Sequence, residues 1–421
     1  MTPREKQARG SRCDPTAPED RLLDGGLDAA LFDMDGTTTA TEDVCCLALE
    51  DMLRRMAGVT DAAAPPRLDR DRDYPALIGY RTRENLEYLG AQYGHLLSVD
   101  ASLRAFFEAA AWHLGPCAEP AQAAATRAAL ADFGLGQLLE ERQFQVLITT
   151  LGGPAPEGIL DVLASRYGPA FRARWRDHWP QAGLLLYACL YHRRLLSDDD
   201  PMIAPLPGVG VFMALVKGRL GADAARCHPL LAGALPAGAE IACSPAQLGA
   251  LGALFERRPA KTALVTTSSS YEAGHVLRHV LSKLRREVPD WGLPQERQEP
   301  LLTLFQGPET CYDAIVTAND IPEARLKPCG DPYALALARL DIGADGLRRV
   351  AGFEDTEPGV ISLRAAGVSL AVALPFEGTR AHDFRAAAHV AHRGFPEVLL
   401  YHHAFLPEQA FQDAHAASPA D

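Results

Sequence analysis

Residues 31–39 read LFDMDGTTT, and the interpretation of this stretch decides the fold. An apolar run ends in two aspartates, Asp33 and Asp35, one residue apart, with Gly36 behind them. In an extended segment, residues two apart face the same side, so the two carboxylates repel at neutral pH. Gly36 lets the chain turn sharply without steric cost. Three readings follow. One is a solvated strand end with turn residues. A second is a calcium loop of the EF-hand kind, which needs Gly at its sixth position and Glu at its twelfth. Counted from Asp33, those positions hold Thr38 and Val44, which excludes it. The third is a nucleophilic carboxylate beside an acid–base carboxylate, both around a magnesium ion. The rest of the chain decides between the first and the third.

Further short apolar runs end in polar or acidic residues: 262–266 in KTALVTTSSS, 312–317 in YDAIVTAND, 350–353 in RVAGFED and 368–374 in VSLAVAL. Runs without alternation are what a parallel sheet buried on both faces produces. Helical patterns fill the gaps. In YEAGHVLRHVLSKLRR the apolar residues Val276, Leu277, Val280, Leu281 and Leu284 share one face, and Ser269 with Glu272 forms a capping box at its start. Strands alternating with helices give an α/β fold, a Rossmann-like doubly wound parallel sheet.

The first strand, near residue 32, is separated from the next, near 263, by a long interval that reads as helical in EDVCCLALEDMLRRM, ASLRAFFEAAAWHL and QAGLLLYACLYHRRLL. That is too long for a crossover connection and indicates an inserted, enlarged helical domain. The expected division is a core of residues 26–41 and 203–403, a helical cap of 42–202, a disordered tail of 1–25 and a C-terminal tail of 404–421. PLPGVGVFMALVKGRL, from Pro205, marks re-entry into the core; the Ala/Gly/Pro-rich stretch 221–249 suggests no function.

The 421 residues carry a net charge of -13 without a long basic run, which argues against nucleic acid as the main partner. FRARWRDHW reads as an amphipathic helix with snorkelling arginines. No apolar run is long enough to span a bilayer, and the N-terminal segment has no apolar core of a secretory signal. Nine cysteines, irregularly spaced and without a CxxC pair, point to neither a disulfide scaffold nor a zinc site. A cytoplasmic setting is the expectation.

Ligands of open α/β sheets bind at the carboxyl ends of the strands. Asp33 with Asp35, Thr266 to Ser268, Glu354 with Asp355, and Lys327 before the helix of RLKPCGDPYALAL are all expected at one edge. A carboxylate there can attack phosphorus and split one hard displacement into two easier ones. Asp33 suits the nucleophile, and Asp35 the group that protonates the leaving oxygen and later activates water. Thr266 offers a hydroxyl, Thr267 and Ser268 offer further donors, and Lys327 neutralises phosphoryl charge. Asp33, the backbone carbonyl of Asp35 and the Asp355 side chain could hold Mg2+, with Glu354 orienting them.

These clusters, in this order, resemble the haloacid dehalogenase (HAD) superfamily of phosphotransferases: DMDGT its first motif, ALVTTSS the second, LKPCGDPY the third and FEDTEPGV the fourth. The spacing FEDTEPGVISLRAAGV is similar to the branch of phosphoglucomutase-like sugar phosphatases with a helical cap. The resemblance implies Mg2+, an aspartyl-phosphate intermediate and a mobile cap that sets specificity. Asp35 argues against the dehalogenase reaction, which lacks an aspartate there. The resemblance also points to Arg81 or Arg83, in the cap segment DYPALIGYRTRENLEYLG, as substrate contacts, and puts Thr41 at a hinge. Cys45 stands where the mutases have a histidine. The expected activity is a Mg2+-dependent phosphatase acting on a small phosphorylated metabolite, with a sugar phosphate among the candidates. A β-phosphoglucomutase-like phosphomutase and a non-catalytic binding protein are the alternatives.

Overall fold

Six parallel strands form one sheet in the order β3-β2-β1-β4-β5-β6. The strands are β1 (Ala29–Phe32), β2 (Lys261–Val265), β3 (Ala314–Val316), β4 (Val350–Glu354), β5 (Leu370–Ala373) and β6 (His389–Val390). The structure is a computed structural model and describes residues 26–61, 64–116, 119–150, 156, 158–197, 200–239 and 241–401. The tails expected at 1–25 and 404–421 lie outside the described residues.

β1, β4 and β5 bury every residue on both faces, as their unbroken apolar runs require. Alternate residues of β1 go to opposite sides. Phe32 packs with Phe353, Phe212 and Phe395 on one face, with Phe32–Phe353 ring centroids 5.4 Å apart. Leu31 and Ala29 join Val265, Tyr333, Leu337, Val360 and Leu363 on the other. Gly352 of β4 is small because Leu363 lies against it: a Cβ there would stand 2.3 Å from a leucine methyl. β6 was not legible in the sequence, since AAAHVAH has no apolar run; it is a two-residue edge paired with β5.

The interval between β1 and β2 is helical, as expected. Its main elements are the helices Glu42–Ala57, Thr82–Tyr93, Val99–His113 and Ile159–Leu195. A hydrophobic cluster built on Phe106, Phe107, Phe133, Phe144 and Phe171 lies wholly within this interval. Helix Glu42–Ala57, in contrast, shares the cluster that contains Phe32. The amphipathic reading of FRARWRDHW holds: Phe171 is buried, while Arg172, Arg174 and Arg176 face outward or partly so.

Departure and return of the chain lie side by side. The Ala40 amide donates to the Ala204 carbonyl (2.9 Å) and the Leu206 amide to the Thr38 carbonyl (3.1 Å). The re-entry segment then forms the fully buried helix Val209–Val216. The stretch 221–249 is not extended loop: it holds the 3-10 turn Gly221–Cys227, the short helix His228–Gly233 and the start of helix Pro245–Arg257. Among the described residues no helix is long and apolar enough to cross a membrane, and all cysteines are free thiols.

Candidate active site

β1, β2 and β4 are adjacent and parallel, so their carboxyl ends deliver Asp33, Thr266 and Glu354–Asp355 to one edge. Behind β1 the chain folds into a tight loop. The Thr38 and Thr39 amides donate back to the Met34 carbonyl (3.0 and 2.9 Å), and the Gly36 amide donates to the Thr39 carbonyl (2.9 Å). Gly36 adopts φ +79°, and a Cβ there would sit 2.3 Å from Asp355 Oδ2. Only glycine therefore permits the loop to lie on this carboxylate.

Asp33, Glu354 and Asp355 are all buried, each offering an oxygen within 4.8 Å of the others. Lys327 reaches into them: its Nζ donates to Asp33 Oδ1, lies 2.7 Å from Glu354 Oε1 and donates to the Val265 carbonyl (3.0 Å). Tyr333 donates its hydroxyl to Glu354, and Thr37 donates to Asp355 Oδ1 (2.9 Å). Asp355 Oδ2 is buried and meets no hydrogen-bond partner.

Three carboxylates against one ammonium leave two negative charges when all are ionised. At such separations each carboxylate pair repels by roughly 3 kcal/mol at an effective dielectric near 20. The protein side answers by taking up protons. Burial, only partly countered by Lys327 and reinforced by Glu354 and Asp35, raises the Asp33 carboxyl to about 8. Burial, with the Asp33 charge next, also raises Asp355 well above the ordinary range. On Lys327 burial works the other way, yet Asp33 and Glu354 hold its pKa above the usual lysine value. An orphaned buried oxygen in a hard-oxygen set short of two positive charges fits a divalent cation such as Mg2+.

The same groups predict a pH dependence. A carboxyl raised in the folded state keeps its proton where the unfolded chain has released it, so stability falls as pH rises through that window. For Asp33 the window runs from 3.8 to about 8. In EDTA the thermal midpoint is therefore expected to be higher at pH 5.5 than at pH 8, and added Mg2+ should recover the loss at pH 8. Burial lowers His113 to about 4 and also lowers His275 and His382, which favours the fold at pH 8 over pH 5.5, so Asp33→Asn, which keeps these histidines, is the reference for the comparison. Despite its burial, Asp73 is brought down to about 2 by hydrogen bonds from Arg72, Tyr93 and Tyr88, and its contribution fades only below about pH 4. A loss in EDTA between pH 5.5 and pH 8 that is no larger in wild type than in Asp33→Asn would contradict the assignment.

Asp35 turns the other way. Its Oδ1 accepts from Thr41 Oγ1, while Oδ2 accepts from Ser268 Oγ (2.9 Å) and more distantly from Thr266 Oγ1 (3.5 Å). Its carboxylate stands outside the three-carboxylate cluster, so only its backbone carbonyl remains available to a metal there. Burial raises its pKa, with the Thr41 and Ser268 hydroxyls opposing. Thr41 also hydrogen-bonds Thr39 (2.6 Å) and immediately precedes helix Glu42–Ala57, tying the entrance of the insertion to Asp35. The Ser268 amide, expected to be free for a ligand, donates to Thr266 Oγ1 (3.0 Å).

A cavity of about 120 Å3 opens from Asp35, Thr267 and Ser268 toward Thr82, Asn85 and Tyr191 of the insertion. Arg81 and Arg83, the expected substrate contacts, are not among the residues that line it. Arg83 is 79% exposed and pairs with Glu87 (3.6 Å); the Arg81 amide donates to Glu84 (3.2 Å). On helix Thr82–Tyr93 the inward face carries Thr82 and Asn85, and Arg83 falls on the other side. Cys45 does line the cavity, but burial raises its thiol well above the ordinary range, so it packs rather than reacts.

Sequence reasoning missed several contributors. Thr37 and Tyr333 lie inside the quoted motifs DGTTT and DPY, and the signal was simple proximity to Asp355 and Glu354. Glu42 lines the cavity, although it reads in sequence as an ordinary acidic first-turn residue. Glu272 does form the capping box with Ser269, as expected, yet it also lines the cavity and meets His192 Nε2 at 3.0 Å.

No protein-family model matches the chain, and no curated protein matches it. Solved structures do. CbbY from Rhodobacter sphaeroides, in complex with phosphate, is similar at 16% identity over 88% of this chain and 96% of that one, with a TM-score of 0.41. A HAD-superfamily hydrolase of subfamily IA from Geobacter sulfurreducens PCA shares 15% identity over 89% and 96%, with a TM-score of 0.36. A HAD family hydrolase from Deinococcus radiodurans R1, with bound phosphate and sodium, shares 16% over 94% and 100%, at 0.36. These likenesses are distant, and the functional reading below rests on the site itself.

Proposed function

We propose that the chain is a Mg2+-dependent phosphatase of the HAD superfamily, hydrolysing a small phosphorylated metabolite through an aspartyl-phosphate intermediate. The observation that carries this reading is the buried set of Asp33, Glu354 and Asp355 around Lys327, with Asp35 two residues along the loop and held by separate partners. In the first step an Asp33 oxygen bonds to phosphorus, and the bond from phosphorus to the alcohol oxygen breaks. Asp35 gives its proton to the departing alcohol. In the second, Asp35 takes a proton from water, the water oxygen bonds to phosphorus, and the bond to Asp33 breaks, releasing phosphate. Lys327 holds Asp33 in place and offsets phosphoryl charge. Mg2+, held by Asp33, Asp355 and the Asp35 carbonyl, would supply charge neutralisation at the phosphoryl oxygens. Glu354, already engaged by Lys327 and Tyr333, orients that set.

Residues 42–202 act in this reading as a cap that covers the site and excludes water. Two contacts support that placement. Glu272 of the core meets His192 of the long cap helix, and a Cβ on Gly79 of the cap would stand 2.7 Å from Thr356. The free thiols suit the cytoplasmic setting proposed for the chain. Purified protein should release phosphate from p-nitrophenyl phosphate with Mg2+, and at most about a hundredth as fast in EDTA. Equal rates in EDTA, or no release at all with Mg2+, would refute the proposal.

A further inference from the structure

Among the described residues, those lining the cavity that receives the alcohol end include no lysine, arginine or histidine. It has instead two carboxylates besides Asp35: Glu42, at the start of the first cap helix, and Glu272, on the core side. Glu272 accepts from His192 (3.0 Å) and from the Ser269 amide (2.7 Å). His192 is fully buried, and its Nδ1 meets no partner. Although burial opposes it, the hydrogen bonds from His192 and the Ser269 amide hold the Glu272 carboxyl below the ordinary carboxylate range.

An independent observation points to a ligand in the same place. Asn85 is 9% exposed and lines the cavity, and its Oδ1 meets no hydrogen-bond partner. The Tyr191 hydroxyl, on the same wall, is likewise buried and unpartnered. Buried polar atoms are otherwise satisfied in folded proteins, so stranded ones lining a cavity await a bound group. Asn85 Oδ1 can only accept, which calls for a donor on that group.

Resting on the phosphatase reading, we propose that the substrate is the phosphate monoester of a short alcohol that carries an ammonium group, received by Glu272, Glu42 and Asn85. An ammonium has donors and no acceptor. It answers the stranded acceptor and both carboxylates at once, beside Tyr187 and Tyr191, whose rings attract cations. Burial and the Asp35 and Asp33 carboxylates raise the Glu42 carboxyl well above its ordinary range, the response of an acid in under-compensated surroundings, and a neutral hydroxyl would satisfy Asn85 without relieving that or offsetting Glu272. A second phosphate or a carboxylate would meet like charge with no basic side chain among the described lining residues to receive it, which also weighs against a phosphomutase working through a bisphosphate.

Three substrates of matched size separate these cases: 2-aminoethyl phosphate, 2-hydroxyethyl phosphate and phosphoglycolate, with p-nitrophenyl phosphate as control and Mg2+ throughout. The expected kcat/KM falls at least tenfold from the amine to the alcohol, and at least tenfold again to the carboxylate. In E272Q the amine-to-alcohol ratio should drop at least fivefold. Glutamine retains the capping position, and N85A provides a second variant should E272Q fail to fold. If the control is hydrolysed but the alcohol or the carboxylate equals or exceeds the amine, the inference fails and the phosphatase stands. If the amine is preferred but both variants keep the full ratio, the assigned site is wrong. If even the control is untouched, the phosphatase reading fails, and this inference with it.

Discussion

Asp33→Asn is expected to lower Mg2+-supported phosphate release by at least about 10³-fold and to abolish any covalent phosphoenzyme. The substitution keeps the shape of the side chain but removes the attacking oxyanion. Lys327 stays engaged, since Glu354 lies 2.7 Å away and the Val265 carbonyl 3.0 Å away, so the fold should survive. Asp35→Asn should behave differently. Its carboxyl stands apart from the cluster and is held by Thr41 and Ser268, so its loss touches proton transfer rather than attack. A poor leaving group needs that proton and an aryl oxide hardly does. The Asp35→Asn defect in forming the phosphoenzyme should therefore be at least about tenfold smaller with an aryl phosphate than with an alkyl phosphate. Rapid-mix labelling with each substrate measures it. Equal defects on both would remove Asp35 from the general-acid role, and a phosphoenzyme in Asp33→Asn would remove Asp33 from the nucleophile's.

What could be read in advance divides along physical lines. Strands buried on both faces leave unbroken apolar runs, and each run here ended in the polar residues that meet at the sheet edge, so Asp33, Thr266, Glu354 and Asp355 were legible. Lys327 was legible from its place before a helix. Contacts made across the insertion were not. Helix periodicity says which residues share a face but not what that face meets. Thus Asn85 and Thr82 look no different from Arg83 in sequence, although the fold brings the first two to the cavity and leaves Arg83 in solvent. Glu42 and Glu272 were masked by a cheaper explanation, because acidic residues are expected in first turns. β6 was missed for a related reason: a two-residue edge strand needs no apolar run to pair with β5.

Asp355→Asn should move activity and stability in opposite directions. The wild-type Oδ2 is buried without a hydrogen-bond partner, beside Asp33 and Glu354. Burial and these neighbours raise its pKa well above the carboxylate range. In metal-free protein, folding above about pH 4 must therefore bind a proton that the unfolded chain has given up, at a cost that grows with pH. Asparagine is neutral in both states and avoids that cost, while its carbonyl oxygen can keep the bond from Thr37 seen at 2.9 Å. In EDTA the variant should exceed wild type in stability at pH 8 by roughly 1 kcal/mol or more, and by less at pH 5.5, since each unit of pKa shift is worth about 1.4 kcal/mol. Adding Mg2+ should raise the wild-type midpoint and leave the variant's nearly unchanged, with phosphate release down at least about 10²-fold. Thermal unfolding at both pH values, with EDTA and with Mg2+, separates a metal ligand from a merely structural carboxylate. A variant less stable than wild type in EDTA at pH 8, or still stabilised by Mg2+ to the full extent, would take Asp355 out of the metal site.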